Sequence, residues 1–249
     1  MEYITVAEAI DESGLRLVLG PATPGPWGEA AKAVFHVKRL PYTAVAKPPE
    51  GERVDLLRWT RQTSAPVAMY ERERPRSGWS EILFLAERLA PEPRLVPRDP
   101  AERLAALGLA FEICGETGLG WSRRLMILPQ QAASEHDSMP WKYGLEDETA
   151  VSTAADRVNE VLGLLARALA AQRARGERYL VGQGLSAPDL YWATFSNMVA
   201  PMSAAHCPMP GKLREIYESS ASLGIVVDPT LIEHRDFIFE EHLALPMVF

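Results

Sequence analysis

Gly182-Gln-Gly-Leu-Ser-Ala-Pro-Asp-Leu190 reads as the start of a buried helix. Ser186 stands at the N-cap, where a hydroxyl can satisfy one of the N–H groups that the first turn leaves without an intrahelical acceptor. Pro188 falls within that turn, where no N–H is needed. Asp189, three residues after Ser186, can accept from the cap's own N–H and close a capping box. Ser186 and Asp189 are therefore scaffold residues.

Helical spacing dominates around this segment. Ala101 to Cys114 and beyond reads as one helix. Val151 to Arg175 reads as a second, with Val158, Val161, Leu162, Leu165 and Leu169 on one stripe. Lys212 to Leu223 and Leu231 to His242 are weaker helical segments. Upstream, Pro91-Glu-Pro-Arg-Leu-Val-Pro-Arg-Asp-Pro100 is proline-rich, charged and extended, as a linker is. Before it the pattern changes again. Leu15-Arg-Leu-Val-Leu19 is a short strand, Trp27 to Lys38 a helix with Ala30, Ala31, Val34 and Val37 at helical spacing, and Tyr42-Thr-Ala-Val-Ala46 a second strand. Lys38 and Arg39 sit where cations complement a helix C-terminus. Ala65-Pro-Val-Ala-Met-Tyr70 gives a third strand that opens on proline, Glu71 to Pro75 a short fourth, and Ser80 to Ala90 a helix.

The chain has 249 residues, 47% of them hydrophobic, enough for one large core or two small ones. Its formal charge of −7 argues against nucleic acid as a partner, because a phosphate backbone is bound by a positive field. Cys114 and Cys207 are too few for a disulfide framework and form no zinc-ligand pattern, so the expectation is a reducing cytoplasm and no metal. The first 13 residues carry four acids and no basic stretch, unlike a secretory signal, and no apolar run approaches the roughly 20 residues that span a bilayer. The expectation is a soluble protein without membrane contact.

The box at 186–189, the proline opening the third strand, the Phe84-Leu-Ala-Glu87 helix end and the linker together resemble the glutathione transferase superfamily, over about residues 15 to 224. The resemblance implies a thioredoxin-like N-terminal domain followed by a helical domain of the glutathione transferase type. The domains would run 1–90 (with 1–14 an extension) and 101–249, joined by 91–100. It also implies a cis peptide before Pro66, glutathione as co-substrate, a small hydrophobic second substrate and a homodimer.

Three requirements follow for thiol chemistry. Ala65, before Pro66, would offer its N–H and C=O to the cysteinyl part of glutathione, as an added strand does. The thiol must ionise from an ordinary value near 8.5, which a donor at the tip of the first helix favours. Family spacing places that donor at about Gly28, where no hydroxyl or thiol stands. The backbone N–H groups of Gly28 and its neighbours, with Thr23, remain to serve, against a carboxylate on Glu29 that competes for them. The γ-glutamyl end would meet Ser77 and Gly78, with no acid of the usual acid-serine pair beside them, and Ser77 has capping the following helix as its other reading. The Arg72–Arg76 loop reads either as a solvated turn or as a site that attracts the glycyl carboxylate.

The second substrate would lie between the domains, against Trp27, Phe111 and Trp121, with Glu112, Cys114, Glu116, Ser122, Arg123 and Arg124 on or just after the first helix of the second domain. Gly115, Gly118 and Gly120 either open that helix near a ligand or mark its end. His136 and Asp137 read as a surface loop, and the tail from Leu243 to Phe249 covers either the cleft or a groove of the second domain. Two functions lead on these residues, with an isomerase or lyase that uses the same cleft as a third. One is an atypical transferase that moves glutathione or a related thiol to or from a small hydrophobic electrophile by alkyl or aryl transfer. The other is a non-catalytic member of the fold that binds a hydrophobic ligand or a protein partner.

Overall fold

A computed structural model of the chain describes residues 1–128, 139–145 and 147–249. His136 and Asp137 lie outside the described residues. Two units divide the chain: residues 1–95, 203–210 and 242–249 form the first, and residues 96–202 and 211–241 the second.

The first unit begins with a helix that the sequence reading left as an extension, α1 (Val6–Asp11). It starts at a complete capping box, the Thr5 hydroxyl accepting from the Glu8 N–H and Glu8 accepting from the Thr5 N–H. β1 (Leu15–Leu19) follows and is buried at all five positions, as a strand covered on both faces must be. Arg16 is the polar member of that run. Its guanidinium donates to the Glu12 and Glu71 carbonyls and lies 5.7 Å from the Trp59 ring.

α2 (Pro26–Val37), β2 (Thr43–Ala46), α3 (Val54–Thr60), β3 (Val67–Tyr70) and α4 (Trp79–Leu89) complete the unit. The strands form one sheet in the order β2-β1-β3, with β1 parallel to β2 and antiparallel to β3. α3 was not anticipated: only Leu56 and Thr60 of its residues are buried, so its apolar signal is diluted. The expected fourth strand over 71–75 is replaced by a turn. Glu71 has φ of 48° and the Glu73 N–H closes onto the Tyr70 carbonyl, leaving only Arg76 to pair with Ala68. Ile4 pairs with Val45 on the outer side of β2 in the same single-residue fashion.

α2 packs on α4, and a buried ion pair fixes their C-terminal ends. Lys38 Nζ lies 2.5 Å from Glu87 and donates to the Ala90 carbonyl, while Glu87 accepts from the Leu95 N–H. Lys38 therefore serves a specific partner rather than a helix terminus exposed to water.

The second unit is helical. α5 (Pro100–Cys114) is capped by Asp99, which accepts from Ala101 and Glu102, and α6 (Leu119–Ile127) follows after a break. A Cβ on Gly118 would stand 2.5 Å from the Glu112 carbonyl, and one on Gly115 2.7 Å from that of Phe111, so only glycine allows this close turn. α7 (Met139–Lys142), α8 (Glu148–Ser152) and α9 (Ala154–Arg173) come next. The single helix expected over 151–175 is divided at Thr153, where α8 stops and α9 starts, and the whole predicted stripe of α9 is buried. α10 (Ala187–Phe195) is buried at every position. A 3₁₀ turn (Ser196–Met198), α11 (Gly211–Glu218), a second 3₁₀ turn (Ser219–Leu223) and α12 (Pro229–His242) complete it.

The box that opens α10 has the form read from sequence. Asp189 accepts from both the N–H and the hydroxyl of Ser186, and its other oxygen accepts from the Leu180 N–H and meets His234 Nε2 at 2.9 Å.

Candidate functional site

Strand register brings three of the predicted site segments to one end of the sheet. The pairing of Val18 with Val67 sets residues 65 and 66 just past the C-terminal end of β1. The Ala68–Arg76 bridge then runs residues 77 and 78 beside that same end. β1 leaves the sheet there and enters the loop that carries Thr23, followed by the first turn of α2 with Trp27 and Gly28. Phe111 and Trp121 belong to the helical unit.

The Ala65–Pro66 peptide is cis. Neither the N–H nor the C=O of Ala65 takes part in a hydrogen bond among the described residues, and its half-buried methyl packs on the core of Val18, Val45, Val67 and Met69. A pair of free backbone groups beside a strand is what an extended peptide needs to dock.

At the tip of α2 the helix begins one residue earlier than the sequence reading placed it, at Pro26. The N-cap is Gly25, with Pro26 as the first helical residue and no side-chain cap. The first intrahelical bond runs from the Glu29 N–H to the Gly25 carbonyl at 2.9 Å, leaving the Gly28 N–H ahead of it without a helical acceptor. Gly28 itself faces the sheet, since a Cβ there would lie 3.1 Å from Leu19 Cδ2, whereas a Cβ on Gly25 meets nothing within 4 Å. Glycine followed by proline is the sequence signal that could have located this cap. Thr23 is exposed, and its carbonyl accepts from the Gly25 N–H at 2.8 Å.

Glu29 does not compete for the helix N–H groups. Both its oxygens lie 2.8 Å from Lys32 Nζ, and Lys32 also donates to the Val248 carbonyl at 2.7 Å and lies 5.3 Å from the Phe249 ring. Burial pushes the Glu29 carboxyl up, with Lys32 pulling it down less strongly. Burial likewise raises Tyr42 to about 12, assisted by Glu29. The C-terminal tail thus belongs to the first unit, where the Met247 N–H also donates to the His206 carbonyl.

The third segment has an acid that the sequence reading missed. Gly78, not Ser77, is the N-cap of α4. The N–H groups of Ser77 and Gly78 both donate to one oxygen of Glu81, at 3.2 and 3.1 Å, and the other oxygen meets Arg74 Nη1 at 2.5 Å. A carboxylate therefore already rests on the donors expected for the γ-glutamyl end. Glu81 lies three residues beyond the cap, a spacing that signals such a return bond. In the loop before it, Glu73 meets both Arg76 and Arg88, so the segment is an ion-pair network rather than a plain solvated turn.

In the helical unit Phe111 is 53% exposed on α5. Trp121 on α6 packs on Tyr143 with ring centroids 4.4 Å apart and planes tilted by 43°, and donates to the Tyr143 carbonyl. These two line a cavity of about 320 Å³ with Ser122, Leu125 and Arg157. A larger one of about 780 Å³ lies between α5 and α9 and was not foreseen. Cys114 is fully buried, and burial alone pushes its thiol well up, which removes it as a nucleophile. Among the described residues no cluster of three or more His, Cys, Asp or Glu could hold a metal ion. No described helix is long and apolar enough to cross a membrane.

No protein-family model matches the chain, and no curated protein matches it. Solved structures do. A glutathione transferase family member from Pseudomonas fluorescens Pf-5, with two glutathione bound, superposes with a TM-score of 0.64 at 15% identity, covering 95% of this chain and 94% of that one. A glutathione transferase from Pseudomonas putida, with one glutathione disulfide bound per subunit, gives 0.65 at 14% identity, covering 95% and 92%. Ure2p in complex with glutathione gives 0.56 at 17% identity, covering 89% and 98%. With a thioredoxin-like unit, a helical unit and these likenesses in place, the chain has the fold of the glutathione transferase superfamily.

Proposed function

We propose that the protein binds glutathione or a related thiol at the Leu19 end of the sheet and transfers its sulfur to a small hydrophobic electrophile. The observation that carries the reading is the backbone of Ala65, unbonded beside β3, in a fold whose solved examples hold glutathione. In this reading Ala65 aligns the cysteinyl part of the thiol. The N–H of Gly28 and the partial positive end of α2 favour the thiolate, and Thr23 is the nearest hydroxyl in sequence. Ser77 and Gly78 receive the γ-glutamyl carboxylate once Glu81 turns aside, and Glu81 then meets its amino group. Trp27, Phe111 and Trp121 contact the second substrate. The domains divide within 91–100. The protein works in the cytoplasm as a homodimer, with Phe84 and Leu104, both large exposed apolar side chains, as interface residues.

The bare N-cap at Gly25 favours a second reading, a member of the fold that binds a hydrophobic ligand or a protein partner without catalysis. Calorimetric titration with glutathione and conjugation of an aryl halide separate them. Binding with turnover supports the transferase, and absence of both supports the second reading. A folded protein that neither binds nor conjugates removes the thiol proposal.

A further inference from the structure

The cavity of about 780 Å³ in the helical unit has an apolar body and, at one end, an acid with no partner. α5 forms one wall through Ala105, Gly108 and Leu109, and α9 the other through Leu164 and Ala168. Side chains this small on facing helices leave the space between them open. Glu112, at one end of the α5 wall, pairs with Arg157 near the start of α9, whereas Glu102, further back on α5, lies beside Gly182 beyond the end of α9. The two helices therefore run antiparallel. About 15 Å of α5, at roughly 1.5 Å per residue, separates the two acids.

Glu102 has a defined place in this wall. A Cβ on Gly182 would lie 3.0 to 3.2 Å from the Glu102 carboxylate atoms, and Gly182 has φ of 64°, so glycine alone permits the approach. The Gln172 amide, buried in the same wall, donates from Nε2 to the Gly182 carbonyl at 2.7 Å and accepts from Arg175 at Oε1. Arg175, the cation of this wall, is thus turned to the amide and not to the acid. The Glu102 carboxylate has no hydrogen-bond or ion-pair partner among the described residues, and positions 129–138 and 146 hold no Lys or Arg.

A neutral ligand in this cavity would take water from Glu102 and return no donor, leaving a desolvated carboxylate without a partner. A ligand ammonium supplies both the donor and the opposite charge. The buried Leu109, Leu180 and Val181 side chains receive an apolar body, and the volume is that of a small-molecule site. We infer that the cavity between α5 and α9 binds a small amphiphilic amine, its ammonium on Glu102 and its hydrocarbon part along Gly108 and Leu164. The site lies wholly within the helical unit and involves no thiol, so its test is independent of glutathione binding.

The test is calorimetric titration of the full chain with n-hexylammonium, n-hexanol and hexanoate near neutral pH, at constant ionic strength and without glutathione. The ammonium should bind at least about tenfold more tightly than the alcohol, the scale of one charge-assisted hydrogen bond, and hexanoate more weakly than either. Glu102→Gln should weaken the ammonium about tenfold and leave the alcohol unchanged. Ala105→Trp, at an exposed position of the cavity wall, should abolish binding of both by filling the space. The proposal is overturned by equal affinity for ammonium and alcohol, by no ammonium binding to the folded chain, or by ammonium binding indifferent to Glu102→Gln or to Ala105→Trp. The wild-type ratio of ammonium to alcohol decides even where a variant fails to fold.

Discussion

One missing side chain, at Gly25, sets what the tip of α2 can offer an anion. Its φ of −69° and the open space around its Cβ position allow serine without strain. Gly25→Ser should raise stability by a few tenths of a kcal/mol as a better N-cap, and should raise thiol conjugation if Ala65 holds glutathione. Gly28→Ser should lower the thermal midpoint by pressing on Leu19 and add no activity. Melting curves and aryl-halide turnover of the two variants check this. Glu29 carries a pH dependence of definite sign. Its folded-state value lies above the ordinary 4.5 because burial outweighs Lys32. Its favourable contribution is thus complete while the carboxyl is protonated, below that value, and is lost as pH rises through the raised one. Urea titrations from about pH 4 to pH 7 should show the wild type losing stability relative to Glu29→Gln.

At the scale of elements, the same capping motif occurs twice with different surroundings. The Thr5–Glu8 box of α1 is exposed, so Thr5→Ala should cost about 1 kcal/mol, as exposed caps do. The Ser186–Asp189 box is buried, and Asp189 also satisfies the Leu180 N–H and His234. Asp189→Ala leaves several buried donors idle and should cost about 3 kcal/mol or more. Denaturant midpoints of both variants at equal slope test the ranking. The contrast also shows what was legible in the sequence. The α10 box could be read because its partners lie three residues apart, and the β-α-β start because periodicity is local. Thr5 and Glu8 carry the same signal as Ser186 and Asp189, yet α1 went unread because no long apolar stripe follows it. The fourth strand failed because Glu71 turns the chain after Tyr70, a backbone choice that residue type does not announce. Lys38 was assigned to a helix end because Glu87, its partner, is 49 positions away in sequence. Of the site, the Ala65–Pro66 and Ser77–Gly78 segments were legible through spacing. Glu81's return to their N–H groups and the pairing of Lys32 with Glu29 depend on side-chain placement.

At the scale of the whole molecule, the chain returns twice to its first unit, with residues 203–210 and 242–249. The tail is fixed there by identifiable contacts. Met247 is 6% exposed and its N–H donates to the His206 carbonyl, while Val248 and Phe249 engage Lys32. Lys32 in turn holds both oxygens of Glu29 in the first turn of α2. Removing residues 246–249 therefore takes an acceptor and an aromatic face from a nearly buried ammonium and uncovers the apolar surface under Met247. The effect should be confined to the unit that loses the contacts, because stability within a protein is local as well as global. Native-state hydrogen exchange should show amides of α2 and of the segment around His206 losing protection in the truncated chain. Amides of α9 and α10, whose burial comes from within the helical unit, should keep theirs. Uniform loss across both units would mean that the tail supports the entire molecule, and unchanged exchange in α2 would mean that Lys32 holds Glu29 without it.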